Sequence, residues 1–459
     1  MQTETSLEVR SPYSGEVVGR VQRAGADEAR RAIDAAEAAM HEPLPAHERA
    51  AVLSRVAAAL EERQEEAAQL ICAEAGKPIK AARVEALRAA STYTFAAVEA
   101  RKLAGQMIPM DASAAGEGKV GFTLRRPLGI VGAISPFNFP LNLVAHKIAP
   151  ALAAGCAVVL KPASQTPLSA FFLAELETQV GLPSGWLTVV AGSSSEIGDV
   201  LVEDERVRVL TFTGSGDVGW GLRERSPRKK VLLELGNATP VIVSADADVE
   251  AAAAKLAANA FSFAGQSCIS VQRIYAERSV HDAFLKRFLP KVAALRTGDP
   301  ADDATDVGPV VDEGARDRIL AWIGESGGEI LAGGDTTDDG LIPPTVIGQP
   351  SPDSKVECEE VFGPVVTVNA VDSLDEALER ANGTRYGLQA GVFTASLATA
   401  LRAARELEFG GVTVNEAPTF RADQMPYGGV KASGNTREGP AFSVRELTEE
   451  RVVVIDAWS

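Results

Sequence analysis

The chain has 459 residues, 46% of them hydrophobic, with a formal net charge of −17 and a pI near 4.9. That length supports two or three domains with cores of their own and argues against disorder, while the acidity argues against nucleic acid or an anionic membrane as partner, since phosphate would be repelled. Cys72, Cys156, Cys268 and Cys358 lie far apart without a CxxC pair, and His41, His47, His146 and His281 show no HExxH spacing, so neither a disulfide framework nor a metal site is expected and the thiols read as reduced and cytoplasmic.

No apolar run approaches the ~20 residues of a membrane span, and the first ten residues lack a signal-peptide core, so a soluble protein is expected. Residues 7–22 read as a hairpin turning at Ser14-Gly15, and 24–40 as an amphipathic helix. Residues 47–74 and 79–103 are Ala/Glu/Arg-rich with apolar residues at three and four, broken at Gly76-Lys77-Pro78; they read as scaffold helices without chemistry. Residues 120–124 are extended, an edge strand or an arm.

From Gly129 the pattern alternates. Strands are expected at 130–134, 157–160, 187–190 and 207–212, and helices at 141–154, 168–180 and 197–202. Short apolar strands alternating with helices predict an α/β fold with a doubly wound parallel sheet, whose ligands bind at the carboxyl ends of the strands. Three turns fall there: Ser135-Pro136-Phe137-Asn138-Phe139-Pro140, the stretch from Lys161 to Pro167, and Thr213-Gly214-Ser215-Gly216. The third fits G-x-G-x-x-G, with Glu234 twenty residues beyond Gly214; by that fingerprint a pyrophosphate sits at the helix N-terminus and Glu234 holds a ribose hydroxyl.

A second α/β region begins after Pro240. An Ala-rich helix over 249–260 and a strand over 269–275 flank Phe261-Ser262-Phe263-Ala264-Gly265-Gln266-Ser267-Cys268, which places Cys268 on a tight turn. Such a terminus supplies backbone N–H groups that lower a thiol pKa and cradle an oxyanion, and Gly265 permits close approach to the backbone. Further helices are expected at 282–295, 314–326 and 375–382, a loop-rich stretch at 410–434, and a β-rich tail at 451–455 suited to joining another sheet.

Taken in order, the segments SPFNFP, LKPASQTP, FTGS, LELG, GQSC, EEVFGPV and PYGGVK resemble the NAD(P)-dependent aldehyde dehydrogenase superfamily, and the likeness runs from about Leu7 to the C-terminus. The resemblance implies a Rossmann-type cofactor-binding domain over 7–117 and 132–236, a related α/β catalytic domain over 237–431, and a small β oligomerisation arm from 118–131 and 432–459 that builds a homodimer or homotetramer. It implies NAD or NADP as cofactor and oxidation of a small aldehyde to the acid. Cys268 would be the nucleophile, forming a thiohemiacetal and then a thioester. Asn138 and the Cys268 N–H would hold the oxyanion, Glu234 would activate water for deacylation, and Lys147 and Glu438 would relay protons. By the same resemblance Lys161 and Glu360 hold the two riboses, Gly214 and Ser215 the pyrophosphate, and Pro136 and Phe362 lie along the cofactor. Ser164 stands where strongly NAD-selective members carry a glutamate, which implies that NADP is accepted too.

Relatives acting on succinate semialdehyde carry arginines where this chain has His146 and Ser262, which argues against a dianion pocket. The run Pro418-Thr419-Phe420-Arg421 looks like that of lactaldehyde- and glyceraldehyde-type enzymes, implying a small 2-hydroxyaldehyde, with Arg421 and Tyr427 at the substrate and Arg421 the anchor for an anionic variant. Glu234 is absent from acylating relatives, so water is the expected acceptor. Two positions depart from the family pattern, Asn237 and Thr436 in place of glycines. A Cys-dependent ester or thioester hydrolase, and a catalytically impaired binding or structural protein on the same fold, are the alternatives; the first leaves Lys161 and Glu360 without a role.

Overall fold

Strands of four to seven residues such as Val158–Lys161 and Val207–Thr213 are buried at nearly every position, as in a sheet covered on both faces. In the computed structural model, which describes residues 6–456, they lie in a five-stranded sheet. Its order is Leu187–Val189, Val158–Lys161, Ile130–Ile134, Val207–Thr213, Lys230–Glu234, with every neighbouring pair parallel. The chain starts at the centre with Ile130–Ile134 and winds first to one side, then to the other. The point of reversal lies between Ile130–Ile134 and Val207–Thr213, so the Ser135–Pro140 and Thr213–Gly216 turns flank the crevice where α/β sheets bind ligands. Lys230–Glu234 was legible only as the LELG motif, not as a strand.

The helix Asn142–Ala154 is buried along its whole length, between the sheet and the scaffold helix Ile79–Lys102. Ala46–Glu62 and Gln64–Ala75 complete that scaffold, and Pro440–Glu446 packs on Asn142–Ala154 from the chain's far end.

A second sheet has seven strands: Glu329–Ala332, Thr345–Gly348, Val365–Val371, Val271–Glu277, Thr239–Val243, Gln389–Phe393 and Gly411–Val414. All neighbours are parallel except the first pair. Gly411–Val414 is a strand inside the stretch expected to be loop. Four residues separate Glu234 from Thr239, so the chain passes from the carboxyl end of the first sheet to the amino end of the second. Cys268, preceding Val271–Glu277, therefore also sits at an amino end, facing the carboxyl end of the first sheet.

The third sheet is antiparallel: Thr448–Asp456 pairs along its whole length with Lys119–Pro127, which pairs in turn with Met107–Ile108. Ile130 and Val131 belong to the first sheet, although the arm was expected over 118–131; residues 457–459 of that expected arm lie outside the described residues.

Candidate active site

Asp248 accepts a hydrogen bond from Ala251 N (3.0 Å) and starts the helix Val249–Ala260, which ends in a kinked turn where Phe263 and Ala264 take left-handed φ of 50° and 52°. Gly265 follows at φ 68°, and a Cβ there would stand 2.0 Å from Gly363 O, so only glycine allows this crossing. Gln266 pins the turn: Oε1 accepts from Val311 N (2.8 Å), Nε2 donates to Pro309 O (3.2 Å), and its carbonyl accepts from Asn138 Nδ2 (2.9 Å). The expected oxyanion donor Asn138 is thus delivered to the Cys268 turn across the gap between the sheets.

Cys268 lines a cavity of about 160 Å³ with Arg88, Asn142, Ser262, Thr419, Arg421 and Tyr427. Its thiol is pushed up to about 12, chiefly by burial, with the Tyr427 hydroxyl, 2.8 Å from Sγ, working the other way. The expectation of a thiol pKa lowered by the turn is therefore overturned for the free enzyme, because desolvation outweighs the nearby donors.

Glu234 ends its strand buried, and among the described residues neither carboxylate oxygen has a hydrogen-bond partner. Burial first, then the Glu438 charge, raises its pKa well above the usual range. Gly428 makes the room: a Cβ there would stand 2.7 Å from Glu234 Oε1 and 2.0 Å from Thr436 O. Glu438 behaves oppositely. Burial would raise it, yet Lys147 and Arg421 hold it at about 2. Lys147 Nζ donates to Glu438 Oε1 (3.3 Å), Thr213 Oγ1 (2.7 Å) and Thr211 Oγ1 (3.2 Å), while Arg421 Nη2 donates to Glu438 Oε2 (3.1 Å). The two carboxyls feel each other's charge and their pKa values are pushed in opposite directions, a splitting that marks groups with different proton roles.

The expected cofactor residues ring the carboxyl end of the first sheet. Lys161 closes its strand with Nζ on Ser194 Oγ (2.8 Å), and burial pushes it down to about 8, a desolvated cation with one neutral partner. Ser164 Oγ donates to Gly192 O (3.2 Å). Gly214 N donates to the Glu234 carbonyl (3.2 Å), Ser215 precedes the helix Gly216–Arg225 without capping it, and Gly216 faces open space. Gly219 packs on Leu235 and Phe212, so the glycines of this turn serve close packing as well as access. Glu360 accepts from Asn237 N (2.9 Å) and is pushed up to about 7 by burial; a Cβ on Gly236 would strike its carboxylate at 2.4 Å. Phe362 stands edge-on to Phe137 at 5.8 Å, next to half-buried Pro136. The open helix start, an underused lysine and a carboxylate lying over a glycine fit a dinucleotide. Lys161, Ser164, Gly214, Ser215 and Glu360 are the groups that would hold it.

Asn237 is satisfied where it stands: Nδ2 donates to Thr239 Oγ1 (2.7 Å) and Gln389 O (3.0 Å), and Oδ1 accepts from Leu388 N (3.3 Å). Its backbone is not left-handed, so this hydrogen bonding, rather than tolerance of positive φ, accommodates the departure from glycine.

Three features escaped the sequence. Arg88 lies on the helix read as scaffold without chemistry, yet it lines the Cys268 cavity and donates to Asp423 Oδ1 (2.8 Å), 335 residues away. Asp423 also meets His146 Nε2 (3.3 Å), so His146 is buried behind the cavity rather than lining it, held at about 4 chiefly by burial. The third is Lys77, almost fully buried and paired with Glu85, its ammonium 3.6 Å from the Phe139 ring and 4.5 Å from the Phe263 ring. Glu85 in turn accepts from Leu141 N (3.0 Å) and Asn142 N (3.1 Å), so this pair ties the Asn138 turn and the Cys268 turn to the helical scaffold. Only the Gly-Lys-Pro punctuation hinted at it.

Among the described residues no group of His, Cys, Asp or Glu stands together as a metal site, and no helix is long and apolar enough to cross a membrane. A cavity lined by a cysteine, set against a crevice whose residues fit a dinucleotide, suits one class of protein: dehydrogenases that oxidise through a covalent thiol adduct. The comparisons agree. The model of the aldehyde dehydrogenase family matches residues 1–453. A 3-sulfolactaldehyde dehydrogenase of Priestia aryabhattai is 42% identical over 99% of this chain and 96% of its own, and a lactaldehyde dehydrogenase of Methanocaldococcus jannaschii 38% identical over 98% and 97%. Aldehyde dehydrogenase 21 of Physcomitrella patens, solved with the reaction product succinate, superposes with a TM-score of 0.95 at 40% identity, covering 100% and 96% of the two chains. The glyceraldehyde-3-phosphate dehydrogenase GapN of Methanocaldococcus jannaschii, complexed with NADP, gives 0.94 at 37%, covering 99% and 100%. The chain belongs to the aldehyde dehydrogenase family. It is an NAD(P)-dependent enzyme that oxidises small aldehydes.

Proposed function

We propose that the substrate is a short 2-hydroxyaldehyde carrying an anionic group at its far end, oxidised to the free acid at Cys268. The observation that carries this is the pair Arg88 and Arg421 in the wall of the Cys268 cavity, each spending one nitrogen on a carboxylate and, among the described residues, leaving Nε without a partner. A guanidinium suits a sulfonate, phosphate or carboxylate because it presents a planar fork of donors. The names of the sulfolactaldehyde and lactaldehyde relatives support the reading, and Arg88 supplies a cation that His146 and Ser262 do not.

In this reading the Cys268 thiolate attacks the aldehyde carbon, and Asn138 Nδ2, released from Gln266 O, donates to the developing oxyanion with the Cys268 N–H. NAD or NADP, when bound, accepts the hydride. Glu234 takes the proton of the water that attacks the thioester and passes it toward Glu438, whose anionic state Lys147 and Arg421 maintain. Copies of the chain pair through the three-stranded sheet, whose edge strand leaves Val452 59% and Val454 49% exposed. The units are a cofactor-binding domain around the first sheet, a catalytic domain around the second and this arm, in a cytoplasmic enzyme.

The test is a panel followed by reduced-cofactor absorbance. We expect kcat/KM for 3-sulfolactaldehyde or glyceraldehyde 3-phosphate to exceed that for lactaldehyde, and lactaldehyde to exceed propanal. Faster turnover of succinate semialdehyde than of every 2-hydroxyaldehyde would overturn the assignment.

A further inference from the structure

A half-buried thiol in a desolvated cavity is a poor nucleophile unless something stabilises the thiolate, and beside Cys268 Sγ the structure places the Tyr427 hydroxyl, its Oη at 2.8 Å. That hydroxyl is held in place. Tyr427 is 3% exposed, its backbone exchanges hydrogen bonds with Glu438 in both directions (3.0 and 2.6 Å), and its ring packs with Ile269 and Leu388. The Arg421 guanidinium lies 3.8 Å from the ring centroid, fixing the ring plane and drawing electron density from the phenol.

We propose that Tyr427 is a catalytic residue that donates its phenolic O–H to the Cys268 thiolate, with Arg421 strengthening the donor from the ring face. The phenol is neutral and keeps its proton throughout; the proton lost by Sγ passes to cavity water. A thiolate accepts such a bond far better than a thiol or a thioester sulfur, so the contact favours the attacking form. The inference rests on Cys268 being the nucleophile, and the experiment separates the two.

Full-length Tyr427→Phe keeps the ring and removes the donor. The rate of Cys268 alkylation by iodoacetamide is measured at pH 8, where it follows the small thiolate fraction of a thiol pushed up to about 12, by mass spectrometry of its peptide, with exposed Cys358 as internal reference and NADP affinity from fluorescence titration. We expect Cys268 alkylation to slow about tenfold, equivalent to about 1.4 kcal/mol, while Cys358 and NADP affinity stay within twofold. Replacing the tyrosines by 3,5-difluorotyrosine, a stronger donor, should speed it, which keeps the proposal testable should Tyr427→Phe fail to fold. An unchanged Cys268 rate in either protein, or a slowing shared by Cys358, overturns it. Cys268→Ala that retains a burst of reduced cofactor refutes instead the assignment of the nucleophile.

Discussion

Replacing Arg88 by Gln separates recognition of the substrate's tail from the chemistry at Cys268. Arg88 stands in the wall of the 160 Å³ cavity and holds Asp423 from behind at 2.8 Å. Losing a charge-assisted hydrogen bond to a bound anion costs about 1.5–3 kcal/mol, or roughly 10- to 150-fold in kcat/KM for 3-sulfolactaldehyde or glyceraldehyde 3-phosphate. Asp423, 5% exposed, would be left with His146 and Asn142 as partners, and an uncompensated buried carboxylate destabilises on its own account. The double variant Arg88→Gln/Asp423→Asn removes that charge. Steady-state assays on both variants, with propanal as the tail-free control and thermal denaturation as the check on folding, should show propanal within threefold of the unmodified enzyme in the double variant and the anionic aldehydes down by the full factor. Equal losses for propanal and the anionic aldehydes would mean that Arg88 only shapes the cavity, and unchanged values for the anionic aldehydes would refute the tail site.

Glu234→Gln should give one equivalent of reduced cofactor per site in stopped flow and then nearly stop, whereas Cys268→Ala gives no burst; turnover restored at saturating cofactor would instead make Glu234 a ribose ligand. Because burial raises the Glu234 pKa, the rate of thioester hydrolysis should climb with pH above neutrality, and a flat single-turnover profile from pH 6 to 9 would contradict its role as base. With Ser164 near the Lys161 turn, NADP should be used with a kcat/KM within about a thousandfold, ~4 kcal/mol, of that for NAD, as read from paired initial-rate assays. Glu177, 0% exposed and paired with the Tyr93 hydroxyl, is pushed up to about 8 by burial. The folded chain thus keeps a proton that the unfolded chain releases from about pH 4.5 upward, and stability present below that pH is lost toward pH 8, on the order of 5 kcal/mol in all. Glu177→Gln should raise the Tm at pH 8 and change it little at pH 5; a Tm gain of equal size at both pH values would disprove this.

The alternation of apolar strands and helices from Gly129 was enough to read four of the five strands of the first sheet and the turns at their carboxyl edge, because both depend on local pattern. The seven ordered motifs singled out Cys268, Asn138 and Glu234, and the fold brings Asn138 onto the turn that carries Cys268. The wiring behind the site was not readable. Arg88 meets Asp423 across 335 residues, and on its own helix it looks like any solvated arginine. The ionisation of Cys268 was misjudged because a sequence displays the donors of a turn but not the depth at which the turn is buried. Asn237 resembled a defect until its three side-chain hydrogen bonds became visible.

The buried Lys77–Glu85 pair has a bearing on how this enzyme can change over time. Either residue replaced alone leaves a bare charge under the Asn138 and Cys268 turns, a cost of about 3–5 kcal/mol against the roughly 5–15 kcal/mol by which folded proteins are stable. A lineage can therefore leave this arrangement only by exchanging both positions together, or by first accumulating stability elsewhere. The cavity wall at Ser262 and Thr419 carries no such lock, so new aldehyde preferences can arise there by single steps while the attack geometry stays fixed.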